Sequence, residues 1–286
     1  MPTNYLGVAF SPYVGAWSGT SPRASTPPWN SYSREDIVLM LETIASSFDK
    51  ISTYGMGYAG YYPPGTPWNQ VDSNCRVAGA AALLNQRRGQ RVIEVSQGIY
   101  QQSTPELQQA EIAAACTAAQ EANAVFPHTV TSLVFTNEYV TDTATTNAVT
   151  AMLTAHKPAV NVLGLKVGVR SQTFGQLTNP ASPYLAPLQT LVRNCDFILC
   201  NLYPPNPPGT IQDSLFSVTR AFDGITAAVV AVNPQCDVMI GETGWPSAGI
   251  SFNNSINTVE NARSYFEAVR QWSLQRRVVA YYFEAI

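Results

Sequence analysis

The sequence predicts an α/β fold, a single (β/α)8 TIM barrel over residues 1–286, and three observations lead there. Short apolar or β-branched runs recur eight times. Helical patterns lie between most of them. The length of 286 residues suits one barrel of roughly 250 residues plus loops. Two average domains would fit as well, so the rhythm decides rather than the length.

The runs lie at residues 5–10, 50–54, 91–96, 132–136, 166–170, 197–201, 238–242 and 278–283. Strands alternating with helices imply a parallel sheet, and eight units imply closure. Ile37, Met40, Leu41 and Ile44 follow the i, i+3, i+4, i+7 spacing of one apolar helix face. Thr104-Pro105-Glu106 reads as an N-cap, a first-turn proline and an early acid. Asn257 with Glu260 resembles a capping box before a helix at residues 265–274. The eighth run closes the sequence, which leaves two expectations open: a barrel without its eighth outer helix, grooved between the first and seventh helices, or a truncated chain. No linker, repeat or low-complexity tail interrupts the rhythm.

Composition excludes several classes. Charged residues are 12% of the chain and the net charge is −3, with no basic stripe for a nucleic acid. No apolar run approaches the about 20 residues that cross a bilayer. Five cysteines form no C-x-x-C pair, and His128 and His156 lie away from strand ends, so no metal or cofactor is expected. Residues 55–60 match G-x-G-x-x-G, but Tyr61-Tyr62-Pro63-Pro64 follows where a dinucleotide site needs a helix to start. Low charge with 20 Pro and 14 Tyr suits an enzyme of neutral polar ligands. The expected setting is secreted or cell-wall, although Met1-Pro2-Thr3-Asn4 has no signal-peptide character. Asn253-Asn254-Ser255 is an N-glycosylation pattern. A monomer is expected.

Two runs end in a carboxylate. Leu133-Val134-Phe135-Thr136-Asn137-Glu138 is the fourth strand, and Val238-Met239-Ile240-Gly241-Glu242 the seventh. Both glutamates then stand at the C-terminal mouth, where barrel active sites form. Glycosidic cleavage needs two carboxylates flanking the bond, one to protonate the leaving oxygen and one to meet the developing cation. Asn137 is placed to bond a sugar 2-hydroxyl beside the acid.

Gly241-Glu242-Thr243-Gly244-Trp245-Pro246-Ser247, with Thr136-Asn137-Glu138 upstream, resembles glycoside hydrolase family 17. The resemblance runs from Tyr5-Leu6-Gly7-Val8 to Tyr282-Phe283-Glu284-Ala285, and that ending is more like the fungal branch. It implies a retaining enzyme on β-1,3-glucan or laminari-oligosaccharides, with Glu138 as acid/base and Glu242 as nucleophile. It also implies sugar contacts from Tyr54, Asn201 and Tyr203. Trp245 is expected to shape the wall beside Glu242 as a rim ring, and Glu284 to enter the site. Gln97 and Arg170 are weaker candidates, and Trp29 or Trp68 would hold an acceptor sugar. The chain departs from the family at Ser52, where an arginine often stands, and in lacking the acidic pair and lysine that follow the last strand. A β-1,3-glucanosyltransferase is the first reading. An endo-β-1,3-glucanase and an inactive glycan-binding barrel are the alternatives.

Cys195 and Cys236 each lie six residues before a mouth residue, Asn201 and Glu242. Equal register on neighbouring strands predicts a disulfide between them.

Overall fold

The computed structural model describes residues 5–12, 32–57, 67, 73–205, 209–249 and 256–284. Eight parallel strands close in chain order: β1 (Leu6–Ala9), β2 (Lys50–Ser52), β3 (Glu94–Ile99), β4 (Val130–Asn137), β5 (Lys166–Ser171), β6 (Phe197–Asn201), β7 (Asp237–Thr243) and β8 (Ala280–Tyr282). Around them run α1 (Arg34–Ala45), α2 (Val77–Arg88), α3 (Pro105–Val125), α4 (Thr143–Val162), α5 (Leu185–Asn194), α6 (Ile211–Val232) and α7 (Val259–Arg276). Among the described residues no helix follows β8.

Local chemistry sets these boundaries. Ser33 caps α1, and Asp36 reciprocates, so two orphan N-terminal donors are satisfied. The predicted stripe of Ile37, Met40, Leu41 and Ile44 is wholly buried. Thr104 caps α3 with Pro105 in its first turn, as expected. The cap of α7 is Thr258, not Asn257. Asn257 instead donates its amide to the Gly249 carbonyl, which leaves the next residue to start the helix. Strand β3 begins three residues later than expected. The Asn85 side chain bonds the backbone of Val92 and Ile93, holding that stretch against α2 before pairing starts.

Two apolar layers result. Val134, Phe197, Leu199 and Tyr281 fill the barrel interior with Met239 and Val279. A larger cluster lies between sheet and helices, drawing on α1, α2 and α3. Helix α6 is long and apolar enough to cross a membrane, but here it packs Val218, Phe222, Ile225 and Val229 inward as an outer barrel helix.

The sheet is irregular where the carboxylates emerge. On β4, Phe135 pairs with Val169 but Asn137 pairs with Arg170, so Thr136 is an extra residue. On β7, Ile240 pairs with Cys200 but Glu242 pairs with Asn201, so Gly241 is extra. Strand β8 sees the same excess, because Ile240 and Thr243 pair with Ala280 and Tyr282. An extra residue in one strand re-aims the side chains beyond it.

This bulge overturns the predicted disulfide. The offset between β6 and β7 is one residue smaller below the bulge, so Phe197 faces Asp237 and Cys236 falls opposite Asp196 rather than Cys195. All five cysteines are free thiols.

Candidate active site

The ends of β2, β4, β5, β6, β7 and β8 build the site. Glu138 follows β4 with φ 56, and Thr136 has φ 60, so Asn137 sits between two left-handed residues. That backbone is costly for residues with a Cβ and clusters at functional sites. The Glu138 N–H is held by the Arg170 carbonyl at 3.1 Å. Asn201, buried at the end of β6, donates from Nδ2 to Glu138 Oε1 at 2.7 Å. Its own partner across the sheet is Glu242. One asparagine therefore joins the two carboxylate-bearing strands.

Glu242 is buried at the end of β7. Strict alternation from the interior residue Met239 would send Glu242 toward the helices. The extra Gly241 reverses that parity. A Cβ on Gly241 would come within 2.7 Å of Asn201 Oδ1 and 2.8 Å of Leu199 Cβ, so only glycine fits. Tyr203 donates its hydroxyl to Glu242 Oε2 at 2.9 Å. Oε1 accepts no hydrogen bond. Arg170 Nη1 stands 3.8 Å from it.

The rest of the Gly-Glu-Thr-Gly-Trp string is explained by packing. Thr243 Oγ1 bonds the Tyr265 hydroxyl at 2.9 Å, pinning β7 to α7. A Cβ on Gly244 would meet the Phe283 carbonyl at 2.6 Å, so glycine lets the β8 exit approach. Trp245 is only 6% exposed. Its indole N–H donates to the Ile256 carbonyl and its ring packs 5.5 Å from Tyr265. The expected rim ring is thus a buried wall residue, because its polar edge already has a backbone partner.

Tyr54 lies just beyond β2, over the Arg170 guanidinium at 4.8 Å. Burial, and then the Glu242 charge, pushes its phenol well up, with Arg170 opposing. Burial and the same charge push the Tyr203 phenol up too. Both stay protonated, so Tyr203 remains a donor. Glu284 is exposed as a residue, but its carboxyl is partly enclosed. Desolvation, then the Glu242 charge, raises it above the usual carboxylate range. Glu284 therefore reaches the site electrostatically.

The buried Oδ1 atoms of Asn137 and Asn201 and the Tyr54 hydroxyl lack protein partners. Buried polar groups are normally satisfied, and functional sites hold the exceptions. Gln97 donates its amide to the Gly98 carbonyl within β3, and its buried Oε1 likewise lacks a protein partner. Exposed rings line the mouth: Tyr100, Tyr139, Tyr203 and Phe283. Tyr203 and Phe283 meet edge to face, with centroids 6.5 Å apart. Sequence reasoning passed over Tyr100, Tyr139 and Phe283, although each lies within two residues of a strand end. Trp29, Trp68 and the Asn253-Asn254-Ser255 pattern lie outside the described residues, as does part of the glycine-rich match at 55–60. Among the described residues no group of three or more His, Cys, Asp or Glu could hold a metal ion.

The fold and the mouth define a class first: a closed barrel presenting carboxylates at its C-terminal end, an arrangement that glycosidic cleavage can use. No family model and no curated protein matches the sequence. Solved structures do. An active-site mutant of Rhizomucor miehei β-1,3-glucanosyltransferase in complex with laminaritriose is 18% identical, over 99% of this chain and 88% of that one, with a TM-score of 0.66. An endo-laminarinase from Formosa Hel1_33_131 is 16% identical, over 98% and 77%, with a TM-score of 0.73. The glycoside hydrolase family 17 β-1,3-glucanosyltransferase from Rhizomucor miehei is 19% identical, over 97% and 85%, with a TM-score of 0.64. At these identities the likeness is one of fold: the chain shares its closed barrel with these proteins.

Proposed function

We propose that this chain is a retaining enzyme of the glycoside hydrolase family 17 type that cleaves β-1,3-glucan and passes the glycosyl unit to a second sugar. The observation that carries the reading is the pair of oriented carboxylates, Glu138 held by Asn201 and Glu242 held by Tyr203. Glu138 protonates the leaving glycosidic oxygen. Glu242 attacks the anomeric carbon through Oε1, the oxygen that accepts no hydrogen bond, while Tyr203 fixes Oε2. A sugar hydroxyl then attacks the same carbon, Glu138 takes its proton, and Glu242 leaves. The unpaired atoms of Asn137, Asn201 and Tyr54 are donors and acceptors for sugar hydroxyls. The exposed rings of Tyr203 and Phe283 offer the acceptor an apolar surface beside Glu242. A polymer substrate implies work outside the cell.

Hydrolysis by the same residues is the second reading, because both a transferase and an endo-laminarinase share this barrel. The deciding experiment is the product distribution from one linear β-1,3-gluco-oligosaccharide, by mass spectrometry. Products longer than the starting chain are expected. Only shorter products at every substrate concentration would make the enzyme a hydrolase. No product, with β-1,4 and β-1,6 glucans also untouched, would leave a glycan-binding barrel. Glu242→Gln is expected to lose at least about 1,000-fold in kcat, and unchanged turnover would remove Glu242 from the nucleophile's role.

A further inference from the structure

Arg170 carries a full charge into the barrel interior. It belongs to β5 and is entirely buried. Its side chain crosses the barrel: Nη2 donates to Ser52 Oγ on β2, and the guanidinium lies 4.8 Å from the Tyr54 ring centroid. On β7, a Cβ at Gly241 would come within 3.2 Å of Arg170 Cγ, so the same glycine that re-aims Glu242 also gives the arginine room. Nε and Nη1 make no hydrogen bond. A buried cation is tolerated only when an anion meets it. The carboxylate paired with it is Glu242.

The form of that pair is unusual. An arginine that only braces a carboxylate makes a short, forked contact. Here Nη1 stops 3.8 Å from Oε1 and makes no hydrogen bond to it. The charge is felt, but the lone pairs of the attacking oxygen stay free.

The geometry points to Arg170 as the positioning residue that drives release of the glycosyl unit from Glu242, with Ser52 as its anchor. This rests on Glu242 being the nucleophile. When Glu242 is esterified, Oε1 has lost its charge. In the second step the acceptor oxygen bonds the anomeric carbon and its proton passes to Glu138. The bond from that carbon to Oε1 breaks, and its electron pair returns to the carboxylate. Negative charge thus grows 3.8 Å from Nη1, where a desolvated cation acts strongly. In the first step the charge on Oε1 falls, so the same cation gives no acceleration. There it opposes attack slightly, so only departure is accelerated.

The test compares the wild type with Arg170→Met and Arg170→Lys on an aryl β-laminaribioside, whose good leaving group makes the first step fast. Arg170→Met is expected to lower kcat about 100-fold and KM in step, leaving kcat/KM within about threefold. A glycosyl-enzyme adduct should accumulate in the intact mass. Arg170→Lys, which keeps the charge, is expected to restore kcat to within about tenfold of wild type. A parallel fall in kcat and kcat/KM without adduct, or no change in either, would overturn the inference. Should Arg170→Met fail to fold by circular dichroism, Ser52→Ala decides. It should show the same split at about fivefold, and wild-type kinetics there would equally overturn it. Peptide mapping separates the two assignments. An adduct on another residue topples the nucleophile assignment itself, whereas an adduct on Glu242 without the kinetic split topples only the role of Arg170.

Discussion

The two ends of this barrel handle inward polar groups in opposite ways. Strand β5 shows it within five residues. Lys166, at the bottom, pairs with Asp237 at 2.8 Å, both around 60% exposed. Arg170, at the mouth, faces Glu242 at 3.8 Å, the two side chains 0% and 9% exposed. At the bottom, Ser132 donates to Ser96, whose hydroxyl meets Tyr281, each at 2.9 Å. Every link there has its partner. At the mouth, Tyr54, Asn137, Arg170, Asn201 and Glu242 all leave polar atoms unpaired. The non-glycine residues with positive φ on β4 and at its exit, Thr136 and Glu138, lie at the mouth as well. The bottom is arranged for stability, and the mouth leaves its polar atoms open to a guest.

Substitutions can break this contrast. The largest effect is expected at Tyr203→Phe, which removes the donor to Glu242 Oε2 but keeps the ring against Phe283. Its kcat/KM should drop about 10- to 100-fold in steady-state assays, with folding stability unchanged. A loss under about threefold would demote the phenol to a rim contact. At the other end, Tyr281→Phe should cost about 1 kcal/mol in urea unfolding and leave kcat alone. An altered kcat would mean the bottom is not insulated from the chemistry.

The smallest effect sharpens the boundary, at Glu284. Its folded pKa is raised by desolvation and by Glu242. The stability it contributes is therefore full below the unfolded carboxylate value and lost as pH rises through the folded one. Glu284→Gln should accordingly be more stable than wild type at pH 7, by only about 0.3 kcal/mol because the site is open to solvent. Urea midpoints at pH 7 and pH 4 check the sign, and the difference should vanish at the lower pH. A larger gap at pH 4 than at pH 7 would contradict it.

Much of this was legible in the chain. Apolar runs ending in Asn137-Glu138 and Gly241-Glu242 located both carboxylates, because strand ends follow from hydrophobic periodicity alone. Asn201 and Tyr203 could be placed for the same reason. What failed shares one cause. Periodicity assumes one residue per step, so it cannot register Thr136 or Gly241 as extra. The disulfide was misplaced by that one residue. Trp245 was misjudged for another reason: the residue that accepts from its indole, Ile256, lies eleven positions away. The contacts of Arg170 could not be read from the chain, because Ser52, Tyr54 and Glu242 lie on two other strands and their ends.

The extra residue on β7 behaves like a reading frame. The identity of Glu242 supplies a carboxylate, but whether the residue before it is paired or bulged decides which side of the sheet receives it. Drawing Gly241 into the regular ladder without losing a residue would restore plain alternation and turn the carboxylate toward the helices. Such a barrel would keep its sheet, its core and every functional side chain, yet be silent. In this architecture an open site and an inert look-alike are separated by one step of strand register rather than by any change of chemistry.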